Sequence, residues 1–185
     1  MQGGVLNASQ LAGNLCVSGT TVARYLDLMV DLLLVRRLQP WFSNTGKRLI
    51  RSPKVYVRDS GIVHALLHIQ AINELLGHPV VGGSWEGFVI ENILSKAPAH
   101  IFPFFYRTPG GAEIDLLLEF PNQEKWAIEI KRSSAPTLSK GFYTACADVK
   151  PARRFVVYAG QDRFPMGHDT TAISLPEMMR EVAAA

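Results

Sequence analysis

Asp115, Glu129 and Lys131 have the residue types and spacing for hydrolytic chemistry on a phosphodiester. They fall in two apolar runs, from Ala112 to Phe120 and from Trp126 to Arg132, separated by Pro121-Asn122-Gln123-Glu124-Lys125. Period-2 alternation on either side of a short polar break predicts adjacent strands of a hairpin. In the first run, Ile114, Leu116, Leu118 and Phe120 share one face, and Glu113, Asp115, Leu117 and Glu119 the other. In the second, Trp126, Ile128 and Ile130 oppose Ala127, Glu129 and Lys131. The expectation is a pair of half-buried strands with one wet face. Two carboxylates brought close repel unless a cation sits between them, and hard oxygen ligands suit Mg²⁺ or Mn²⁺. Such a metal would lower the pKa of a bound water, while Lys131 holds that water or neutralises developing charge. The bland alternative is a surface Glu129–Lys131 pair, contributing only fractions of a kcal/mol.

The elements that would position these residues form an α-β-β-β-α-β series. Ser84 caps a helix to about Lys96, burying Phe88, Val89, Ile93 and Leu94; a strand from Phe104 to Thr108 precedes the hairpin. Arg107 on that strand can reach a phosphate or pair with Glu113. A helix from Ser139 to about Asp148 and a strand at Phe155–Tyr158 complete the series. A further strand runs from Thr171 to Leu175, and Pro176 opens a last helix at N1.

Upstream, Leu6–Leu38 reads as a helix-turn-helix, with Ser18 placed to cap its second helix and Val22, Tyr25, Leu26, Met29, Val30 and Leu33 as a core stripe. Its exposed face carries Thr20, Thr21, Arg24, Asp27 and Asp31, a poor set for reading bases. Two strands, from Leu34 to Trp41 and from Val55 to Arg58, flank a basic loop and complete a winged helix, with Lys47, Arg48, Arg51 and Lys54 on or beside the wing. Phosphate contact without sequence discrimination is the most such a wing supports, and protein packing is the alternative. His64 and His68 stand four apart, yet Ala65 replaces the glutamate of a zinc-protease helix. The breaker-rich Gly77–Gly83 segment sets the expected boundary between a winged-helix domain, 1–78, and a second α/β domain, 79–185.

Composition narrows the classes. The chain has 185 residues, 48% of them hydrophobic, enough for one large or two small cores. A net charge of +3 hides an uneven distribution, since no acidic residue lies between Asp31 and Asp59 while Arg36, Arg37, Lys47, Arg48, Arg51, Lys54 and Arg58 do. That segment suits phosphates or an acidic partner domain. Cys16 and Cys146 have no metal-ligand spacing, and no apolar run approaches the ~20 residues of a membrane span, so a cytoplasmic protein with no membrane partner is expected. No phosphate-binding Gly-x-x-x-x-Gly-Lys motif occurs, so this chain has no ATP site of that kind.

Asp115 followed by Glu129-Ile130-Lys131 resembles the signature of the PD-(D/E)xK, restriction-endonuclease-like superfamily. From about Leu6 onward the chain is also similar to the C-terminal region of a group of prokaryotic AAA-type ATPases that ends in a domain of unknown function. The matching pieces are Thr21–Leu26, Pro53–Gly61, Trp85–Val89, Tyr106–Thr108, Gly111–Asp115 and Glu129–Lys131. This resemblance implies an N-terminal winged helix followed by a restriction-endonuclease-like domain, with an ATPase domain preceding Met1 in a longer protein. It adds Glu86 as a further metal ligand beside Asp115 and Glu129, Mg²⁺ or Mn²⁺ as cofactor, and DNA or another nucleic acid as partner. Activity is a separate matter, because a shared fold does not confer chemistry.

Overall fold

The computed structural model describes residues 2–42 and 49–185, so Lys47, Arg48 and the rest of the expected basic loop over 43–48 lie outside the described residues. The chain forms two compact units, one of Met1–Leu38 with Ser52–Phe88, the other of Gln39–Arg51 with Val89–Ala185. Both contain helices and strands, and the protein is of the α/β class.

The first unit holds β1 (Gly4–Val5), α1 (Ala8–Asn14), α2 (Gly19–Asp31), most of β2 (Val35–Pro40), β3 (Lys54–Val57), α3 (Ser60–Leu66), α4 (Ile72–Gly77) and the first half of α5 (Val81–Lys96). Its strands lie in the order β1-β3-β2, antiparallel throughout. Local chemistry explains the helix starts. Ser18 Oγ accepts from Thr21 N–H at 3.1 Å and Asp59 Oδ1 from Gly61 N–H at 2.7 Å, each satisfying an orphan donor of a first turn. At the end of α2 a leucine, Leu33, adopts φ 59°, and Leu34 N–H reaches back to Met29 O, a turn usually given to glycine.

Two expectations fail in this unit. Of the stripe assigned to the core, Val22 is buried and Leu26 and Val30 are half-buried, but Tyr25, Met29 and Leu33 are exposed. The apolar arc of α2 is wider than the side its own unit covers. Ser84 is not a cap either: α5 begins three residues earlier, and Ser84 is buried within it, 2.8 Å from His64 Nε2. Gly83 can occupy this helix because the chain passes tightly over it; a Cβ there would stand 2.3 Å from Gln2 O.

The second unit contains β4 (Phe102–Arg107), β5 (Glu113–Glu119), β6 (Lys125–Ile130), α6 (Lys140–Val149), β7 (Arg153–Tyr158), β8 (Phe164–Gly167), β9 (Thr170–Ser174) and α7 (Leu175–Ala183). Its mixed sheet runs β4-β5-β6-β7-β9-β8. The β4, β5 and β6 pairings are antiparallel, β6, β7 and β9 are parallel, and β8 closes the edge antiparallel. Gln39 and Pro40 add parallel pairing to β4. Ser139 and Ser174 cap α6 and α7, with Pro176 in the first turn of α7.

β5 and β6 are not half-buried strands. Leu116, Leu117, Leu118, Ala127 and Ile128 are all fully buried, so both faces are covered. One face carries α6, whose Phe142, Ala145, Cys146 and Val149 pack with Tyr106, Ile114, Leu117 and Ala127. Ile114 thus joins the cluster of Leu117 rather than opposing it, and the β4–β5 register shifts between Phe104 and Tyr106, beside Ile114. Tyr106, buried in this cluster, donates its hydroxyl to Asp148 Oδ2 at 2.8 Å. Burial, reinforced by Asp148, holds its phenol well above the ordinary range.

The two cysteines behave differently. Cys16 is exposed, whereas burial pushes the Cys146 thiol up to about 11 against the opposing charge of Arg154, with a further push from Glu129. A thiol reagent at neutral pH is expected to label one cysteine of the native chain rapidly and both only after denaturation. Rapid labelling of both in the native state would contradict the burial of α6.

Candidate functional site

Leu116 and Ile128 are paired across β5 and β6, and Asp115 and Glu129 each lie one residue beyond that pair. The strand ends are tied together at this point. Asp115 Oδ2 accepts from Ile130 N–H at 2.9 Å, and Lys131 N–H donates to Val157 O of β7 at 2.9 Å. Glu129, only 5% exposed, accepts from Lys131 Nζ on Oε1 at 2.6 Å. The three expected site residues therefore occupy one place at the end of the sheet, held by backbone hydrogen bonds on both sides.

Three carboxylates, Glu129, Asp115 and Glu113, act on the Lys131 ammonium here. Partial burial by itself lowers the Lys131 pKa, but the Glu129 hydrogen bond and the charges of Glu129, Asp115 and Glu113 outweigh it, and the net shift is upward. Lys131 is therefore an ammonium throughout the physiological range. It can attract a phosphate or stabilise negative charge, but it cannot take a proton from water. The same shift makes stability depend on pH. With the folded pKa above the unfolded value of about 10.4, the contribution is complete below that pH and disappears as pH rises through the folded pKa. Melting temperature is expected to fall more steeply above about pH 10.5 in the wild type than in Lys131→Met. Parallel curves would show that the ion pair is not formed.

The acids fit a hard divalent cation in part. Mg²⁺ keeps several waters and is commonly held by one or two carboxylates plus substrate phosphates, a set Asp115 and Glu129 can supply. Among the described residues no group of three or more His, Cys, Asp or Glu side chains is arranged to hold an ion. Glu86 accordingly does not join them in such a group: its Oε1 accepts from Lys54 Nζ at 2.9 Å and from Tyr56 Oη at 2.6 Å within the first unit.

The basic residues expected to meet phosphates divide. Lys54 is 2% exposed and committed to Glu86, so its ammonium is withdrawn from solvent and the expectation of a phosphate contact fails. Alternation on β3 turns it inward. Arg51 is exposed, and Arg107, also exposed, lies 3.6 Å from Glu113 Oε2. Sequence reasoning missed the Lys54–Glu86–Tyr56 cluster and the His64–Ser84 contact. No periodicity links residues 20 to 32 positions apart, and only the packing of α5 on β3 and α3 brings them together. The histidines themselves part ways, with His64 half-buried and His68 exposed.

Residues 81–178 match the family model described as a domain of unknown function, DUF4143, and residues 1–73 match a second, DUF8612. An uncharacterized protein of Mycobacterium bovis is 40% identical over 178 residues, 96% of this chain and 40% of the relative. An uncharacterized protein of Mycobacterium tuberculosis shows the same identity and coverage. The chain thus spans 40% of the length of these curated relatives. No solved structure matches.

Proposed function

The chain belongs to the family described as a domain of unknown function, DUF4143, and from that membership and the Asp115, Glu129 and Lys131 geometry we propose a metal-dependent nuclease-like function. In this proposal the chain is part of an AAA-type ATPase-family protein whose nucleotide-binding domain is not among these residues. Residues 79–185 form the PD-(D/E)xK-like domain, and residues 1–78 form a winged helix that contacts nucleic-acid backbone through Lys47, Arg48 and Arg51. The observation that supports the reading best is the 2.6 Å contact of Lys131 with Glu129, beside an Asp115 carboxylate anchored on Ile130 N–H.

In this reading Asp115 and Glu129 would hold Mg²⁺ or Mn²⁺, whose bound water would be acidified and whose charge would shield the phosphate. Lys131, fixed as a cation, stabilises charge developing on the phosphoryl oxygens. Arg107 and Arg51 are exposed and available to neighbouring phosphates. A second reading, a catalytically inert module that binds nucleic acid or protein and regulates the ATPase, is favoured by Glu86, whose Oε1 accepts from Lys54 and Tyr56, and by the lack of a three-ligand cluster among the described residues. The deciding assay is plasmid nicking by the purified chain with Mn²⁺ or Mg²⁺ against an EDTA control. Metal-dependent nicking that vanishes in Asp115→Asn supports the enzyme. Salt-sensitive binding without nicking leaves the inert module.

A further inference from the structure

We propose that the exposed face of α2 pairs antiparallel with the same helix of a second copy of this chain. Thr21, Tyr25, Leu28 and Leu32 follow one another at spacings of four, three and four, the pattern of d and a positions in a coiled-coil seam. Tyr25, Leu28 and Leu32 on this seam, with Met29 beside it, are 61, 51, 59 and 41% exposed, although a soluble monomer seldom leaves one helix face so apolar. Beside Tyr25 and Leu28 lies a depression of about 400 Å³ whose lining, among the described residues, is Thr21, Arg24, Tyr25 and Leu28. These residues stand at i, i+3, i+4 and i+7, the positions that frame a hole for a facing knob centred opposite Tyr25.

Charge selects both the occupant and its direction. Arg24 and Asp31, seven residues apart and both exposed, share one flank of the seam, while Met29 lies on the other. Asp27, turned away from the seam, is engaged by Arg37 of β2. A two-fold axis perpendicular to two antiparallel helices brings like flanks together. Seating Leu28 of the second copy in the Tyr25 hole then sets Arg24 of each chain beside Asp31 of the other, two ion pairs from one registration. A parallel pairing would instead set Arg24 and Asp31 beside Met29. The helix is complementary to itself in one direction only.

The seam is short. Its exposed side chains present roughly 400 Å² per copy, about half of the ~800 Å² per partner of a standard interface, so the dimer is weak, with Kd on the order of 10 to 100 μM.

Sedimentation equilibrium of the whole chain between about 5 and 500 μM is the test. A monomer–dimer equilibrium is expected. Leu28→Asp, at an exposed position, should raise Kd at least about thirtyfold with circular dichroism unchanged. Arg24→Asp and Asp31→Arg should each raise it about tenfold, and the double swap should return it to within about threefold of wild type. A chain monomeric at the highest concentration, a dimer indifferent to Leu28→Asp, or a double swap that fails to recover would each overturn the proposal.

Discussion

Lys131→Met is expected to reduce metal-dependent nicking on the order of 10²- to 10³-fold, the usual cost of removing one preorganised electrostatic group from a reacting phosphate. Methionine keeps most of the aliphatic stem and removes only the charge. Because Lys131 is held as an ammonium by Glu129, Asp115 and Glu113, its loss takes a cation from a place where all three carboxylates act on it. Two effects follow in opposite directions. Glu129 gains freedom to bind a metal ion, so the Mn²⁺ concentration for half-maximal activity should not rise, while the maximal rate collapses. Plasmid nicking over a Mn²⁺ titration separates these. If Lys131→Met keeps more than about a tenth of the maximal rate, the lysine is only a neutralising partner of Glu129 and the enzyme reading loses its electrostatic component.

Phe142→Ala should destabilise the protein by about 3–5 kcal/mol, lowering the melting temperature by roughly 10–20 °C. Phe142 is fully buried on α6 and packs in one cluster with Tyr106, Ile114, Leu117 and Ala127. Truncation leaves a hole between a helix and a sheet, both pinned by hydrogen bonds, so the walls cannot collapse to fill it. The cluster also lies beneath the candidate site: Cys146 on α6 feels the charge of Glu129, and Tyr106 is bonded to Asp148. A control comes from Leu66→Ala, at a residue 71% exposed, which should shift stability by less than about 0.5 kcal/mol. Differential scanning calorimetry checks both. A Phe142→Ala chain melting within about 3 °C of wild type would mean that α6 does not pack on β5.

Asp115, Glu129 and Lys131 were legible as a group because antiparallel pairing places residues by arithmetic, and a short polar break constrains the register. The same reasoning put Ile114 on the wrong side, since the extra residue that β5 carries between Ile114 and Leu117, opposite Phe104 and Tyr106, leaves no mark in a period-2 pattern. Nor was β8 visible, with Pro165 in a four-residue strand of weak alternation. Helix α6 was readable to within a residue, while α5 starts earlier than expected because Gly82 and Gly83 looked like breakers.

By itself, then, the sequence determined what is decided within a few residues: the Ser18 cap, the apolar runs that become strands, the order α-β-β-β-α-β, and the flanking of one strand pair by Asp115 and Glu129. These depend on backbone hydrogen bonds and side-chain alternation, which are local. Tertiary structure alone decided that Lys54 and Glu86 neutralise each other, that β5 and β6 are covered on both faces, and that the apolar face of α2 stays open. Burial is a property of what lies across from a residue, and chain segments far apart in sequence meet only after folding.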